Sequence, residues 1–366
     1  MKTAELKTAL EVIKPPRVKS VTSFCSLKLD NETVTCRTSW YEGEAEVILK
    51  SPSQGQTVEI LVDFLQLFDA VKSCKEATIS LKVETYNINN KRKDFLIVNG
   101  STLYTFPLDG IPPKRSVVKK QAHVLSDQFF NALSVNLPFA LSNDSDRVNL
   151  ISIFYDSVES ALIATNGAAL AVSKIKSLGN KDLLFPGREM VILQRAIKKL
   201  GISKVTLTIK DRLALFSANN FSFICTLISS TYPQWETVVP KYNSWHKSQI
   251  YGLELQKAIK KVLAQASLED TNQYEIECQL LICTQNNVTL NRNDLTIPIG
   301  KTDHTNNQSP LLDCRLLKKL PKRDLTLRLD IDDEYNPLIF EANNESFFLI
   351  MPMRKSHSYT PSLQRK

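Results

Sequence analysis

The 366-residue sequence predicts an α+β protein in which one set of helices and antiparallel strands occurs three times. Three observations predict this fold class. An apolar hairpin with an asparagine turn recurs at intervals of roughly 120 residues, close to the length of a typical domain. An alternating strand precedes each hairpin, and helical segments lie upstream of each strand.

The hairpins share one pattern, in which an apolar strand, an asparagine turn and a strand alternating with aromatic residues follow each other. They are FLIVNGSTLYTFPL at Phe95–Leu108, LALFSANNFSFICTL at Leu213–Leu227 and PLIFEANNESFFLIM at Pro337–Met351. Asparagine and glycine tolerate positive φ. Tight turns are therefore predicted at Asn99-Gly100, Asn219-Asn220 and Asn343-Asn344.

The segments before each hairpin also correspond. Strands are predicted at Lys75–Val83, Lys204–Lys210 and Arg323–Asp330. Helices are predicted at Ala4–Ile13, Leu61–Ser73, Leu125–Leu133, Arg188–Leu200, Leu253–Ala266 and Leu311–Leu320. The first repeat is the least regular: Asn87–Lys93 is expected to form a longer solvated loop, and Met1–Pro15 lacks a strand before the first helix.

These repeats predict three domains, called units one, two and three, at residues 1–116, 117–245 and 246–366. The boundaries are expected near Pro112–Val118 and Tyr242–Lys247, which are polar and lack periodicity. Helices followed by strands occur in any α+β protein. The shared order, turn chemistry and spacing nevertheless favour a repeat.

The composition indicates a folded protein with a basic surface. The chain is 43% hydrophobic and 23% charged, with a formal net charge of +8 and a pI of about 9.0. This balance favours a polyanionic partner, although lysine that only solvates the surface is the alternative. There are 10 glycines and no glycine-rich phosphate loop.

The residues give no sign of catalytic or metal chemistry. The seven cysteines have no C-x-x-C spacing, and the four histidines lie far apart, so no metal site and no cofactor is expected. The cysteines are interpreted as reduced core thiols. No nucleophile–base signature favours an enzyme. No secretory or membrane-spanning segment is evident, which predicts a cytoplasmic protein that does not bind a membrane.

Basic residues cluster on predicted helix faces in units two and three. Such faces suit sequence-independent contact with the phosphates of double-stranded DNA, because no base-reading Asn or Gln lies with them. The alternative is compensation of the helix dipole by lysines in the last turn. The candidate DNA-facing residues are Arg195, Lys198, Lys199, Lys257, Lys260, Lys261, Lys318 and Lys319.

Three short segments resemble the bacterial DNA sliding clamp, the beta subunit of DNA polymerase III. ATNGAALAV at Ala164–Val172 resembles the family's A-T-D-G-H-R-L-A-V, and YPQWETVVP at Tyr232–Pro240 resembles F/Y-P-x-Y-x-x-V-x-P. IMPMR at Ile350–Arg354 is similar to the family's terminal M-P-M-R. The segments occur in the family's order and spacing.

The resemblance implies a non-catalytic processivity factor. It implies that two chains form a head-to-tail ring homodimer around double-stranded DNA, with helices lining the hole. It also implies that DNA polymerase and clamp-loader subunits bind through short linear peptides. The implied peptide-binding pocket comprises Leu150, Thr165, Gly167, Leu170, Pro233, Val238, Ile350, Met351, Pro352, Met353 and Arg354.

Some positions depart from the family pattern. Ala168 and Ala169 replace a His-Arg pair, Thr237 replaces an arginine, and about a dozen residues follow Arg354. The composition of this tail favours disorder. These departures indicate a divergent member with an altered peptide preference. They also leave open a clamp-fold DNA-binding protein that does not close a ring, and apolar strand ends can equally be core residues.

Overall fold

The structure is a computed structural model. It describes residues 1–16, 24–40, 42–51, 57–89, 91–99, 101–106, 122–140, 147–269, 277–282, 287–292, 295–303, 309–330 and 332–353. The first expected unit boundary, Arg354 and the tail beyond it lie outside these residues.

The elements of unit one begin with a helix and end with the first asparagine hairpin. They are α1 Thr3–Val12, β1 Phe24–Leu29, β2 Thr33–Trp40, β3 Gly43–Lys50, β4 Val58–Asp63, α2 Phe64–Ser73, β5 Leu81–Ile88, β6 Lys91–Val98 and β7 Ser101–Phe106.

Unit two has the same succession, preceded by one additional strand. Its elements are β8 Ala122–Leu125, α3 Asp127–Asn136, β9 Ser152–Asp156, β10 Ala161–Thr165, β11 Ala169–Lys174, β12 Leu183–Pro186, α4 Gly187–Leu200, β13 Val205–Lys210, β14 Leu213–Ala218 and β15 Phe221–Thr226.

Unit three follows the order of unit two. Its elements are β16 His246–Ile250, α5 Gly252–Glu269, β17 Glu277–Ile282, β18 Asn287–Arg292, β19 Leu295–Thr302, β20 Leu311–Asp313, α6 Cys314–Leu317, β21 Leu325–Leu329, β22 Leu338–Ala342 and β23 Ser346–Ile350.

The described strands form two sheets. The first sheet runs through the junction of units one and two, and the second runs through the junction of units two and three. The first has the order β5-β6-β7-β4-β1-β2-β3-β15-β14-β13-β8, and the second has the order β12-β9-β10-β11-β23-β22-β21-β16-β19-β18-β17-β20. Strand β3 pairs antiparallel with β15, and β11 pairs antiparallel with β23. Each junction is therefore a main-chain ladder with side chains packed on it.

The two faces of the second sheet are covered differently. Alternate residues of a strand point to opposite faces. Leu162 and Ala164 of β10 join the core beneath the helices, whereas Ala161 and Ile163 join a second apolar cluster. That second cluster includes Tyr232, Trp235 and Trp245 of residues 228–245, which we call the strap. The strap covers the sheet face opposite the helices.

Local sequence determines where the helices begin and end. The Asp63 carboxylate caps α2 by accepting from the Gln66 amide at 2.9 Å. Helix α4 buries Met190, Leu193 and Ala196 and ends at Gly201, whose φ of 63° suits glycine. The fold class predicted from the sequence is thus confirmed as α+β, with helices and antiparallel sheets in the expected order.

Four predicted segments need correction. Leu61–Asp63 belongs to β4, Leu125 ends β8, and Leu311–Asp313 forms β20, so three predicted helices begin later than expected. Helix α6 is a single turn, because Asp313 caps Cys314–Leu317 after an edge strand that pairs with β17. Lys75–Val83 is a strand only from Leu81 onward. Short apolar runs do not distinguish strands from helices by periodicity alone.

The expected loop at Asn87–Lys93 was also wrong. Strands β5 and β6 continue through it, from the Leu81–Val98 pair to the Ile88–Lys91 pair. The turn needs a residue with positive φ, and Asn89 has a φ of 50°. Of the three predicted asparagine turns, two contain positive φ, at Asn99 with 44° and Asn343 with 57°, whereas the turn at Asn219-Asn220 forms without it. At Asn343, a short 3-10 helix, Asn343–Glu345, replaces a two-residue turn.

The described cysteines are unpaired thiols, as predicted. Cys25, Cys36, Cys225 and Cys314 are buried and Cys74 is half-buried, while the thiols of Cys278 and Cys283 are outside the described set. Burial raises the pKa of Cys36 to about 12. None of the described helices is long and apolar enough to cross a membrane.

One carboxyl group at the junction of units one and two is destabilised in its charged form. Glu189 lies in the first turn of α4 and is only 4% exposed. Burial, and secondly the carboxylate of Glu42, raise the pKa of Glu189 to about 7 from its usual 4.5. Because the folded pKa is the higher one, folding is favoured while Glu189 is protonated, and this contribution is lost as pH rises from about 4.5 through 7.

We therefore expect Glu189→Gln to increase the free energy of unfolding by about 1 kcal/mol or more near pH 8, with a smaller gain near pH 5. Urea denaturation across this range measures the effect. Glu254→Gln is the matched control, because Glu254 occupies the same place in the first turn of α5 but is exposed and paired with Lys257. A gain independent of pH would contradict the account.

Candidate functional sites

The first candidate site lies near the strap, where β10 and β23 end and β11 begins. The Met351 amide donates to the Ala168 carbonyl at 2.9 Å, which joins the end of β23 to the β10–β11 turn. In that turn the Asn166 carboxamide accepts from the Ala168 and Ala169 amides at 3.1 and 2.8 Å. Gly167 has a φ of 91°, a conformation that favours glycine. Two of the recognised motifs are thereby brought together.

The strap holds the third motif against the same sheet. The Tyr232 ring stacks on Phe154 with ring centroids 4.5 Å apart, and the Trp235 indole donates to the Asp156 carboxylate at 3.0 Å. Burial raises the pKa of Tyr232, and the backbone of Thr165 opposes part of that shift. The motif at Tyr232–Pro240 therefore lies beside the motif that contains Thr165.

The predicted pocket residues divide into a buried floor and an exposed rim. Leu150 and Leu170 are at most 7% exposed and form the floor, whereas Ile350 is buried in the core beneath the helices, on the opposite face of the sheet. Val238 is 54% and Met351 38% exposed. Gly167 and Pro233 are also exposed, while Thr165, Pro352 and Met353 are half-buried. The arrangement offers a shallow apolar surface to an apolar side chain of a ligand.

The structure adds one residue that the sequence did not single out. Arg147 places its Nη1 atom 3.7 Å from the position that a Cβ on Gly167 would occupy. A guanidinium thus lies at this rim, although Ala168, Ala169 and Thr237 supply none. Residue 147 precedes β9 in a polar stretch without periodicity, so its position follows only from the fold.

The second candidate site is the set of basic helix faces, where the eight residues have different surroundings. Lys198, Lys260, Lys261 and Lys318 are exposed. Lys257 is exposed and pairs with Glu254 at 2.8 Å. The remaining three are held by other groups. Arg195 donates to the Lys14 carbonyl at 2.9 Å, Lys199 pairs with Glu11, and the Lys319 ammonium lies 5.8 Å from the centre of the Phe139 ring.

Arg195 and Lys319 are half-buried, unlike the exposed lysines. Burial lowers the pKa of both groups, because a charged form is less stable away from water. The contact of Arg195 and Lys199 with α1 also joins unit two to unit one. A role for all eight residues in DNA contact stays a prediction, and the exposed lysines suit it best.

The described residues contain no group of three or more His, Cys, Asp or Glu side chains placed to hold a metal ion. A cavity of about 580 Å³ lies in unit two and is lined by residues that include His123, Asp182 and Arg212, and none of the peptide-binding candidates lines it. Neither observation adds a catalytic arrangement to the two candidate sites.

Comparison with solved structures identifies the fold. The chain matches a DnaN sliding clamp (DNA polymerase III subunit beta) from Bartonella birtlesii bound to griselimycin, with a TM-score of 0.78 and 17% identity over 97% of this chain and 98% of that one. It matches the DNA polymerase III beta subunit from Thermotoga maritima with a TM-score of 0.75 and 15% identity, over 97% and 99% of the two chains.

Sequence comparison gives the same relatives at low identity. The beta sliding clamp homolog GriR of Streptomyces muensis is 22% identical over 218 residues, which cover 58% of this chain and 57% of GriR. The beta sliding clamp of Borreliella burgdorferi is 23% identical over 173 residues, or 46% of this chain and 38% of the relative. No protein-family model matches the chain.

The fold is that of the bacterial beta sliding clamps, and it extends over nearly the whole chain. The resemblance identified in the sequence is confirmed: the chain is similar in sequence, at low identity, to beta sliding clamps.

Proposed function

We propose that the protein is a non-catalytic DNA sliding clamp. Two chains of three clamp domains, at residues 1–116, 117–245 and 246–366, close head to tail into a ring around double-stranded DNA. The ring tethers a DNA polymerase and clamp-loader subunits through short linear peptides. The exposed lysines of α4, α5 and the α6 region supply non-specific contacts with phosphates, whose strength falls as salt rises.

The strand pairing at the two junctions supports ring closure. The first five residues of β3 pair antiparallel with the first five residues of β15. The first five residues of β11 pair with those of β23 in the same register. By the order of elements, the corresponding strands are β19 in unit three and β7 in unit one. Within the described residues, their sides away from β18 and β6 are paired only at Gly300–Thr302, with β16, and at Thr105–Phe106, with β4. A second copy that repeats this pairing joins β19 of one chain to β7 of the next, which is a head-to-tail contact.

The exposure of one position on these strands carries the proposal. Ile224 of β15 and Leu349 of β23 are the fourth residues of their strands, and they are 3% and 2% exposed at the junctions. Tyr104 is the fourth residue of β7, and it is 64% exposed. The pairing registers place the second residue of the partner strand opposite, namely Glu44 or Leu170. The equivalent in β19 is Thr296, which is exposed.

We expect a solution mass of twice the 41.3 kDa chain. Tyr104→Glu is expected to shift the mass to that of one chain, because closure would bury the new carboxylate without a partner. Multi-angle light scattering measures both, and Tyr335→Glu, at another exposed tyrosine, is the matched control. A wild-type chain that is monomeric at every concentration would favour the alternative, a clamp-fold DNA-binding protein that does not close a ring.

The peptide site is proposed on the floor and rim described above. A Helicobacter pylori beta clamp has been solved with a bound DNA ligase peptide, which makes that peptide a suitable probe. Here the buried leucines would support an apolar anchor, and Val238 and Met351 would contact it directly. Methionine adapts to ligands of different shape. Arg147 would attract an acidic residue of the peptide, in place of the arginines that the motifs lack.

We expect Val238→Asp to weaken peptide binding by about tenfold or more, because it places a charge in the apolar contact. Fluorescence anisotropy with the labelled ligase peptide measures the dissociation constant. Val158→Asp is the control, since Val158 is 88% exposed in the β9–β10 turn. Equal affinity of the Val238 variant and the wild type would place the peptide elsewhere.

A further inference from the structure

Strand β5 is the longest of the four strands that end a sheet. The end strands β5, β8, β12 and β20 have 8, 4, 4 and 3 residues. A long exposed edge presents unpaired backbone groups to any other chain, and proteins usually keep such edges short or covered. The length of β5 therefore calls for a specific explanation.

The equivalent strands of the other two units are covered on the same side. Strand β13 lies between β14 and β8, and β21 lies between β22 and β16. In unit one this pairing is short. The Ile79 amide donates to the Met1 carbonyl at 2.9 Å, and the Thr3 amide donates to the Ala77 carbonyl at 3.0 Å. Within the described residues, β5 pairs only with β6.

The register of β5 shows which backbone groups lie on the open side. The Asn99 amide donates to the Ser80 carbonyl at 3.2 Å, so Ser80 faces β6. Inward and outward positions alternate along an antiparallel strand. The N–H and C=O groups of four residues therefore point to the open side, namely those of Leu81, Val83, Thr85 and Asn87.

The side chains along β5 also differ from those of the covered strands. Only Leu81 of β5 is buried, whereas β21 buries Leu325, Leu327 and Leu329. At the far end of β5, Tyr86 is 46% and Ile88 is 39% exposed. An added strand would cover these groups and would pack its inward side chains beside Leu81 and Val83.

Charge indicates the chemistry of the added strand. The exposed Arg92 and Lys93 lie at the start of β6, beside the end of β5. A strand running antiparallel to β5, in the direction of β8 and β16, would begin at this basic tip. Acidic residues at its N-terminal end would therefore be attracted there, and apolar residues would follow.

We propose that the open side of β5 binds an extended segment of a partner protein as an additional antiparallel strand. The segment carries acidic residues at its N-terminal end, followed by alternating apolar residues. Main-chain hydrogen bonds to the four outward residues supply the affinity, and the basic tip sets the direction. This surface is separate from β7 and β19, so it is independent of ring closure.

The probe is a fluorescein-labelled peptide of sequence Glu-Glu-Val-Thr-Val-Thr-Val-Thr, and the test variant is Thr85→Pro in the full chain. Proline removes the outward N–H of residue 85, while the β5–β6 ladder stays intact because that N–H does not face β6. Thr85→Val is the matched control. Both variants lose the Thr85 hydroxyl bond to Asp94, but valine keeps the amide.

We expect wild type and Thr85→Val to bind the probe equally and Thr85→Pro to bind about tenfold or more weakly in anisotropy measurements. The amides of Val83 and Thr85 should gain protection from hydrogen exchange when the probe binds. A probe with Lys-Lys in place of Glu-Glu should bind less tightly.

Three outcomes would overturn the proposal. They are equal binding by the proline and valine variants, absence of amide protection at about millimolar probe, and self-association of the wild type that Thr85→Pro abolishes. The last would identify a second copy of this chain as the occupant. If the wild type is monomeric but binds the probe as expected, only the proposed ring closure is contradicted.

Discussion

The fold depends on main-chain pairing across the junctions between successive units. Strands β3 and β15, and β11 and β23, join separate units into two continuous sheets. At such a junction there is little room between the strands, because both neighbours lie close. Gly43 shows this limit, since a Cβ there would lie 2.5 Å from the Ile224 carbonyl oxygen and 2.7 Å from the Trp40 ring. The rigid sheet then determines where the helices and the strap lie.

The same constraint connects the fold to the candidate sites. Leu170 and Leu349 face each other in the β11–β23 ladder and are also covered by the strap. These residues hold the junction and support the floor of the proposed peptide site. Because substitutions in the floor would also weaken the junction, peptide preference changes more easily through substitutions at the rim. The exposed Ala168 and Thr237 differ from the family pattern there, and Arg147 supplies a cation from another segment.

Much of the fold was predictable because it is encoded in local patterns. Asparagine tolerates positive φ, which Asn99 and Asn343 adopt, and the turn at Asn219-Asn220 also forms where it was predicted, although without positive φ. The apolar stripe of α4, with Met190 and Leu193, gave the helix and its buried face. Short segments were less predictable: Leu61–Asp63 and Leu311–Asp313 became strands because β1 and β17 lie beside them. Such partners are distant in sequence.

The candidate sites were predictable only in part. The sequence motifs led to Thr165, Val238 and Met351, and the structure places the three motifs together at one end of strands β10, β11 and β23. Periodicity could not show that Lys199 pairs with Glu11 of α1 or that Lys319 lies above Phe139. Those contacts are between units. The open side of β5 was also not predictable from the sequence, because it results from a short Met1–Thr3 pairing and from the length of one hairpin.

Closure of the chain into a ring around DNA has a topological consequence that can be measured. The protein is incubated at high concentration with a nicked circular plasmid, and the mixture is passed through a gel-filtration column at moderate salt. We expect the protein to co-elute with the circle and to be released when a restriction enzyme linearises the DNA, because a ring slides off free ends. Equal retention on circular and linear DNA would show that the protein does not encircle DNA.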